Sequence, residues 1–323
     1  MLKTLSLFEP IRQELEAVEE KLHEAADVEH VRLKETLSYL LDSGGKRIRP
    51  AVVILASKFH EHDVSRVTPL AAAVEMLHTA TLVHDDLLDG SLLRRGNVTL
   101  NARLNTGAVI LVGDYLFARA ADLAAATESV PVVNIFAGTL MTICSGELRH
   151  AFNPDGWRRT KEDYYLSTYS KTASLFAASA EAGALLSGAP VRTVRALRDY
   201  GCNLGMAFQI VDDILDFVGD ESEMGKPSGS DLRQGTVTLP LLLFLEEQPE
   251  ADLLGSIFEH GEGREEAIRA LVAMVRGSSA IESARQEARR HTLACKEAIG
   301  SLSPNRYRQV MLDLADFLLE RRR

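Results

Sequence analysis

The sequence predicts an all-α protein, and three observations carry the prediction. Apolar residues recur at helical spacing along almost all of the 323 residues. No sustained period-two run bounded by turn signals calls for a sheet. Prolines and capping residues stand where helical patterns begin. With 46% hydrophobic and 25% charged residues, the composition is globular, which excludes a disordered chain, a collagen-like chain and a small disulfide scaffold.

Taken in chain order, the first break is the Asp42–Gly45 loop, after which Pro50 opens the apolar run PAVVILASKF. Thr68-Pro69 supplies an N-cap and a first-turn proline ahead of LAAAVEMLHTATLVHDDLLD. The Gly90–Asn97 loop follows. Pro131 precedes VVNIFAGTLMTICSGEL, whose pattern runs out before the Asn153–Gly156 turn. Pro190 opens a long segment reaching about Phe217, and Gly219–Gly235 is rich in turn residues. Without a Pro/Ser-rich linker or low-complexity tract, residues 1–323 read as a single domain.

The formal net charge of -10 argues against a nucleic-acid binder, which usually carries a basic surplus. Cys144, Cys202 and Cys295 are odd in number and lack C-x-x-C spacing, so neither a disulfide framework nor a zinc site is indicated. The most apolar stretches are interrupted, 108–126 by Asp114, Arg119 and Asp122 and 172–186 by Glu181, so no segment reads as a membrane span. MLKTLSLFEP has too short an apolar run for a signal peptide. A cytoplasmic protein is expected, with transient membrane contact if its product is greasy.

The strongest chemical signal is a pair of D-D-x-x-D clusters, Asp85-Asp86-Leu87-Leu88-Asp89 and Asp212-Asp213-Ile214-Leu215-Asp216. On a helix Asp85 and Asp89 lie at i and i+4, on one face, as do Asp212 and Asp216. A single copy reads equally well as a solvated helix end, but two copies embedded in HTATLV and MAFQIV do not. Carboxylates gathered in apolar surroundings call for compensation by a hard cation. An oxygen-only donor set favours Mg²⁺ over zinc, and Mg²⁺ in turn favours phosphate oxygens, so a diphosphate or triphosphate substrate is implied.

Cations surround these clusters. GGKRIRP brings Lys46, Arg47 and Arg49 into a turn ahead of a helix, an anion cradle or a solvated basic loop. Arg94 and Arg95 follow the first cluster by one short loop, and Lys171-Thr172 and Lys226 lie beside expected helix ends. His78 precedes Asp85 by seven residues, two turns or roughly 10 Å away on the same face. Gln209 stands three residues before Asp212. Alone, His78 and Gln209 read as hydrogen-bonded core residues.

Taken together, GGKRIRP, LVHDDLLDGSLLRRG, GDYLFARA, YSKTASLF, FQIVDDILDF and GKPSGSDLRQGTVTLPLL, in order over residues 44–243, resemble the trans-isoprenyl diphosphate synthases, the polyprenyl synthetase family. The resemblance implies an isoprenoid synthase-type all-α bundle around a deep central cavity, usually a homodimer, with the two aspartate clusters facing each other across its mouth. Carried over by motif, Lys46, Arg49, His78 and Arg95 match the site for isopentenyl diphosphate. Arg94, Lys171, Thr172, Gln209 and Lys226 match the allylic diphosphate site. Asp85, Asp89 and Asp212 match the Mg²⁺ ligands, with Asp216 binding directly or through water. Val98, Asn105 and Thr236 depart from the Pro, Trp and Lys that family members often carry there.

The reaction that this set suits begins with ionisation of an allylic diphosphate. Mg²⁺ with Arg94, Lys171 and Lys226 would stabilise the leaving group. The Thr172 hydroxyl, the Gln209 carbonyl oxygen and the Lys171 main-chain carbonyl suit a dry environment for the allylic cation. Isopentenyl diphosphate then attacks, and the released diphosphate takes the proton. An all-α nucleoside triphosphate pyrophosphohydrolase would need a glutamate-rich pairing absent here, and a terpene cyclase would mix Asn, Ser/Thr and Glu in its second motif. A non-catalytic subunit of a heteromeric synthase has typically lost aspartates from one cluster. For product length, Thr81 and Ala80 lie about one turn before Asp85, Leu77 about two, and Val74 and Ala73 about three. Thr81, Leu77, Ala80 and Ala73 fall on a stripe beside the Asp85/His78 face that no aromatic blocks, which, with the resemblance, points to a long chain rather than a farnesyl or geranylgeranyl product, with Phe136 as a candidate tunnel floor.

Overall fold

Helices make up nearly every element of the computed structural model, which describes residues 6–94, 96–152, 158–219, 227–248 and 263–321. In chain order they are α1 (Arg12–Ala26), α2 (Val31–Asp42), α3 (Ile48–Ser57), α4 (Val64–Leu88), α5 (Thr106–Ala125), α6 (Val130–Ala151), α7 (Lys161–Thr168), α8 (Ser174–Leu186), α9 (Val191–Val218), α10 (Ser230–Arg233), α11 (Leu239–Glu247), α12 (Arg264–Gly277), α13 (Ala280–Gly300) and α14 (Arg306–Leu319). The period-two reading overlooked one small feature. Between α4 and α5, β1 (Leu93–Arg94) pairs antiparallel with β2 (Asn97–Val98), Leu93 opposite Val98 and Arg94 opposite Asn97. Two-residue strands are too short to show alternation.

Two helix starts differ from the sequence reading. α4 begins at Val64 rather than beside Pro69, because the Asp63 carboxylate accepts the Ser65 amide at 2.9 Å and caps the helix there. Pro69 lies inside the second turn, where it forgoes one helical hydrogen bond. α3 begins at Ile48, two residues before Pro50. Its N-cap, Arg47, has a left-handed backbone with φ 47°, rare for a residue with a side chain. Pro190, by contrast, immediately precedes α9, and Pro131 is the second residue of α6. The Asn153–Gly156 turn and most of the first half of Gly219–Gly235 lie outside the described residues.

The chain divides into two compact units, one of residues 1–140, 175–201 and 298–314 and the other of 141–174, 202–297 and 315–323. In the first, α4 is the central helix and packs on α5, α3 and α1. Ala71, Ala72, Ala73 and Leu77 are fully buried, as are Ala51, Val52 and Val53 of α3. Small side chains allow this closeness: a Cβ added at Gly113 of α5 would lie 2.1 Å from the His84 ring nitrogen of α4. The second unit has its own core, in which Ile210, Ile214 and Phe217 of α9 meet Leu241 and Phe244 of α11, Leu271 and Val275 of α12 and Ala284 of α13.

What holds Arg47 in its unusual conformation is an ion-pair cluster in the first unit. Its Nη1 is 2.8 Å from the buried Glu75 carboxylate of α4, and its Nη2 donates to Glu19 of α1 at 3.0 Å and to the Leu41 carbonyl at 3.1 Å. Removing one member of a buried pair strands the other's charge. Arg47→Met, which leaves the buried Glu75 carboxylate without its guanidinium, is therefore expected to destabilise folding by about 3–5 kcal/mol, read as a lowered denaturant midpoint by circular dichroism; a change below about 1 kcal/mol, the range of exposed pairs, would contradict this.

α6 departs from the expectation that no segment is apolar enough to span a membrane. It is the one helix among the described residues that passes by length and composition, with only 22% of its most apolar window buried. Its Val130, Val133, Met141 and Leu148 are exposed, as are Ile110 and Leu111 of α5. On α6 those residues recur at helical spacing, forming one outward stripe.

Candidate active site

The first aspartate cluster closes α4. Each residue advances about 100° around a helix, so Asp85 shares one face with Thr81, His78, Leu77, Val74 and Leu70, whereas Ala80 and Ala73 lie well off it. Asp85 is half-buried, and Asp89, the C-cap, is exposed. Asp86 points inward at 8% exposure and accepts from Arg94 Nε on β1 at 2.8 Å. Burial pushes the Asp86 carboxyl above its usual range, against the pull of the Arg94 charge. The two middle and outer positions thus do different work. Asp86 fixes Arg94 beside the cluster, while Asp85 and Asp89 keep contact with solvent.

Below Asp85 on that face, the same unit holds a narrow apolar crevice. Leu70, Val74 and Leu77 of α4 line it with Val132, Ile135, Phe136 and Thr139 of α6 and Leu175, Ala178 and Ala182 of α8. Leu77 of the expected stripe lines the crevice, together with Val74 and Phe136. Ala80 and Ala73 are fully buried but do not line the crevice, which corrects the stripe drawn from spacing alone.

Of the three cations in GGKRIRP, the structure withdraws Arg47 into the Glu19/Glu75 cluster. Lys46 and Arg49 remain half-buried. The Arg49 guanidinium lies 4.6 Å from the centre of the Phe176 ring. His78 is half-buried, and its carbonyl accepts from the Thr81 hydroxyl at 2.7 Å. Arg95 lies outside the described residues.

In the second unit, Lys171 and Thr172 sit on a π-helical turn, Tyr169–Ala173, between α7 and α8. Such single turns insert a residue and re-aim side chains, and they recur at functional sites. Gly146 of α6 makes room for this one, since a Cβ there would lie 2.5 Å from the Ser170 Cβ. Lys171 Nζ is 3.3 Å from the Glu147 carboxylate. Thr172 is buried and donates through its hydroxyl to Gln209 Oε1 at 2.7 Å.

That bond begins a chain that the sequence did not reveal. Gln209 Nε2 donates to Asp213 Oδ1 at 2.8 Å, and the Tyr164 hydroxyl donates to Asp213 Oδ2 at 2.6 Å. Asp213 and Tyr164 are both 2% exposed. Burial and the neighbouring Asp231 push the Asp213 carboxyl well above its usual range, and the bonds from Tyr164 and Gln209 pull it back. The one hint in the sequence was that the middle aspartate falls on the apolar side of its helix. The chain fixes which way the Gln209 amide faces. Tyr164→Phe leaves a buried carboxylate oxygen short of a donor, so a stability loss of about 1–3 kcal/mol is expected, together with a fall in kcat; unchanged melting and turnover would contradict it.

Asp212 is exposed and pairs with Arg321 Nη2 at 3.0 Å. Asp216, though on the same helix face, is 3% exposed; its Oδ2 accepts the Asp231 amide at 3.1 Å and its carbonyl the Gly229 amide at 2.9 Å, bonds that hold the start of α10. Lys226 lies outside the described residues.

Among the described residues no three carboxylate, imidazole or thiol groups converge to form a ready-made metal cage. The donors offered are solvent-reaching aspartate oxygens at Asp85, Asp89 and Asp212. In each unit by itself, Asp85 with Asp89 in the first and Asp212 in the second, such oxygens fit a hard divalent cation that keeps much of its water and completes its shell with phosphate oxygens, and they do not fit a four-ligand zinc site.

Comparison with known proteins agrees with this chemistry. The chain is 36% identical to the heptaprenyl diphosphate synthase component 2 of Geobacillus stearothermophilus, over 99% of both proteins. It is also 36% identical to the octaprenyl diphosphate synthase of Escherichia coli, over 88% of each. A crystal structure of a polyprenyl synthase from Caulobacter crescentus, complexed with calcium and isoprenyl diphosphate, matches with a TM-score of 0.93 at 35% identity, covering 99% of this chain and 98% of that one. Residues 30–275 match the polyprenyl synthetase family as a whole. With its two D-D-x-x-D helices, its oxygen donors and its apolar crevice, the chain belongs to the polyprenyl synthetase family.

Proposed function

We propose that this prenyltransferase condenses isopentenyl diphosphate with an allylic diphosphate, in the presence of Mg²⁺, to make a long-chain all-trans polyprenyl diphosphate, residues 1–323 acting as one catalytic domain. The observation that carries this reading is that both clusters are intact and each keeps its first aspartate, Asp85 or Asp212, in contact with solvent while burying its second, Asp86 or Asp213. When bound to Asp85, Asp89 and Asp212, with Asp216 contributing directly or through water, Mg²⁺ supplies stabilisation of the charge that gathers on the leaving diphosphate.

The chain's own residues do the rest. Arg94, Lys171 and Lys226 bind the allylic diphosphate, Arg94 already oriented by Asp86. Lys46, Arg49, His78 and Arg95 bind isopentenyl diphosphate. Thr172 and Gln209, locked to each other, present oriented dipoles to the developing allylic cation. The proton lost after condensation passes to the released diphosphate, so no protein base is assigned. The prenyl chain grows into the crevice under Asp85, whose lining holds no charged side chain.

The exposed apolar stripe of α6, with Ile110 and Leu111 of α5, supports a homodimer in which a second copy covers it. A heteromeric synthase is the second reading, supported by the name of the Geobacillus relative as one component of an enzyme. Incubating the purified chain alone with Mg²⁺, isopentenyl diphosphate and farnesyl or geranylgeranyl diphosphate, then sizing the products, tests the activity. Light scattering on the same sample gives the assembly. Long-chain products from a particle of two chains are expected; no product until a second protein is added would favour the heteromer.

A further inference from the structure

Arg321 stands just past α14 in the second unit, and no motif in the sequence points to it. Its side chain is only 8% exposed, although it is a guanidinium, and its Nη2 lies 3.0 Å from Asp212 Oδ1. The guanidinium carbon is 4.5 Å from the centre of the Phe208 ring. Phe208 is four residues before Asp212 on α9, so ring and carboxylate lie on one face. The Arg321 amide donates to the Leu318 carbonyl in the turn that closes α14.

Burying a guanidinium is costly unless it is paired, and a planar fork stacked on an aromatic face is held in one orientation. Arg321 is thus anchored by Phe208 and by its own backbone, independently of Asp212. A carboxylate has two oxygens and accepts at both. With Oδ1 held by the guanidinium, the carboxylate is fixed in one rotamer and Oδ2 is presented to an incoming cation. Ligating carboxylates are commonly held by such outer partners, whose removal weakens metal binding. The opposite role, an arginine that blocks Asp212 until a cation evicts it, fits poorly with a side chain anchored from two other sides.

We propose that Arg321 is a positioning residue that orients Asp212 for the divalent cation of the diphosphate site. The proposal rests on the reading of Asp212 as a metal-binding carboxylate. The test is Mn²⁺ binding to the full chain in the presence of inorganic diphosphate, followed by the loss of the free-ion electron spin resonance signal, with no turnover involved. Asp212→Asn is expected to weaken Mn²⁺ binding strongly. Arg321→Met, with a native circular dichroism spectrum, is expected to weaken it by about 10–100-fold, and Arg321→Lys to recover part of the loss. In the Asp212→Asn background Arg321→Met should have no further effect. Weakened binding in Asp212→Asn but wild-type or tighter binding in Arg321→Met overturns the positioning role alone. Wild-type binding in Asp212→Asn overturns the metal reading of Asp212 and the proposal with it. If Arg321→Met does not fold, Arg321→Lys carries the test, because it keeps the charge without the planar fork and should still bind Mn²⁺ several-fold more weakly; no weakening in it overturns the proposal.

Discussion

Asp85→Ala and Asp212→Ala each lower turnover by about three orders of magnitude or more, with the far-ultraviolet circular dichroism spectrum unchanged. Both side chains reach solvent, so their removal leaves the helices intact, although Asp212→Ala also takes the carboxylate from the buried Arg321 guanidinium and is expected to lower the melting temperature. What is lost is an oxygen ligand for the cation that steadies the leaving diphosphate, and about 4 kcal/mol of transition-state stabilisation corresponds to that drop. The middle aspartates predict a different phenotype. Asp213→Ala strips the partner from Tyr164 and Gln209, so it is expected to lower stability as well as turnover, which thermal melts will separate from Asp85→Ala. Full activity in excess chelator, or wild-type turnover in either outer variant, would overturn the assignment.

Thr81→Phe shortens the product while sparing the first condensation. Thr81 lies one turn before Asp85, on the face that continues through Leu77, Val74 and Leu70 into the crevice, at about 5.4 Å per turn, close to one isoprene unit. A ring at that level would stop the chain after one or two additions. Ala80→Phe, which spacing alone would rank beside it, has another expected outcome. Ala80 is fully buried off the lining face, so a phenylalanine there overpacks the helix contacts and destabilises by about 1–3 kcal/mol without setting a new length. At the far end, Phe136→Ala opens the crevice between α6 and α4 and lengthens the product. Chromatographic sizing of products from the three soluble variants checks the set; an unchanged distribution in active Thr81→Phe shows that this face does not limit chain growth.

Much of this protein was legible in one dimension. Helical periodicity, the prolines at 131 and 190 and the paired D-D-x-x-D clusters depend on neighbours within about a turn, and physics at that range is written in spacing. The α4 start was misread because two local signals competed: a proline marked one place, and the Asp63 cap marked another. The α6 stripe escaped because spacing does not show which apolar residues of a helix stay exposed.

What spacing cannot carry is which charged residue meets which, because partners are chosen by packing between elements remote in sequence. Arg47 looked like one of three equal cations in GGKRIRP until Glu19 and Glu75 claimed it. Asp86 and Asp213 had no role assigned from spacing, and burial makes them anchors for Arg94 and for the Tyr164–Gln209 pair. The sequence by itself determined an all-helical chain with two aspartate-tipped helices and the cations to bind diphosphates. Only the tertiary structure decided which of those charges stay available, since a charge that is desolvated must be neutralised where it is buried, and its neutralising partner is known only once the chain has folded.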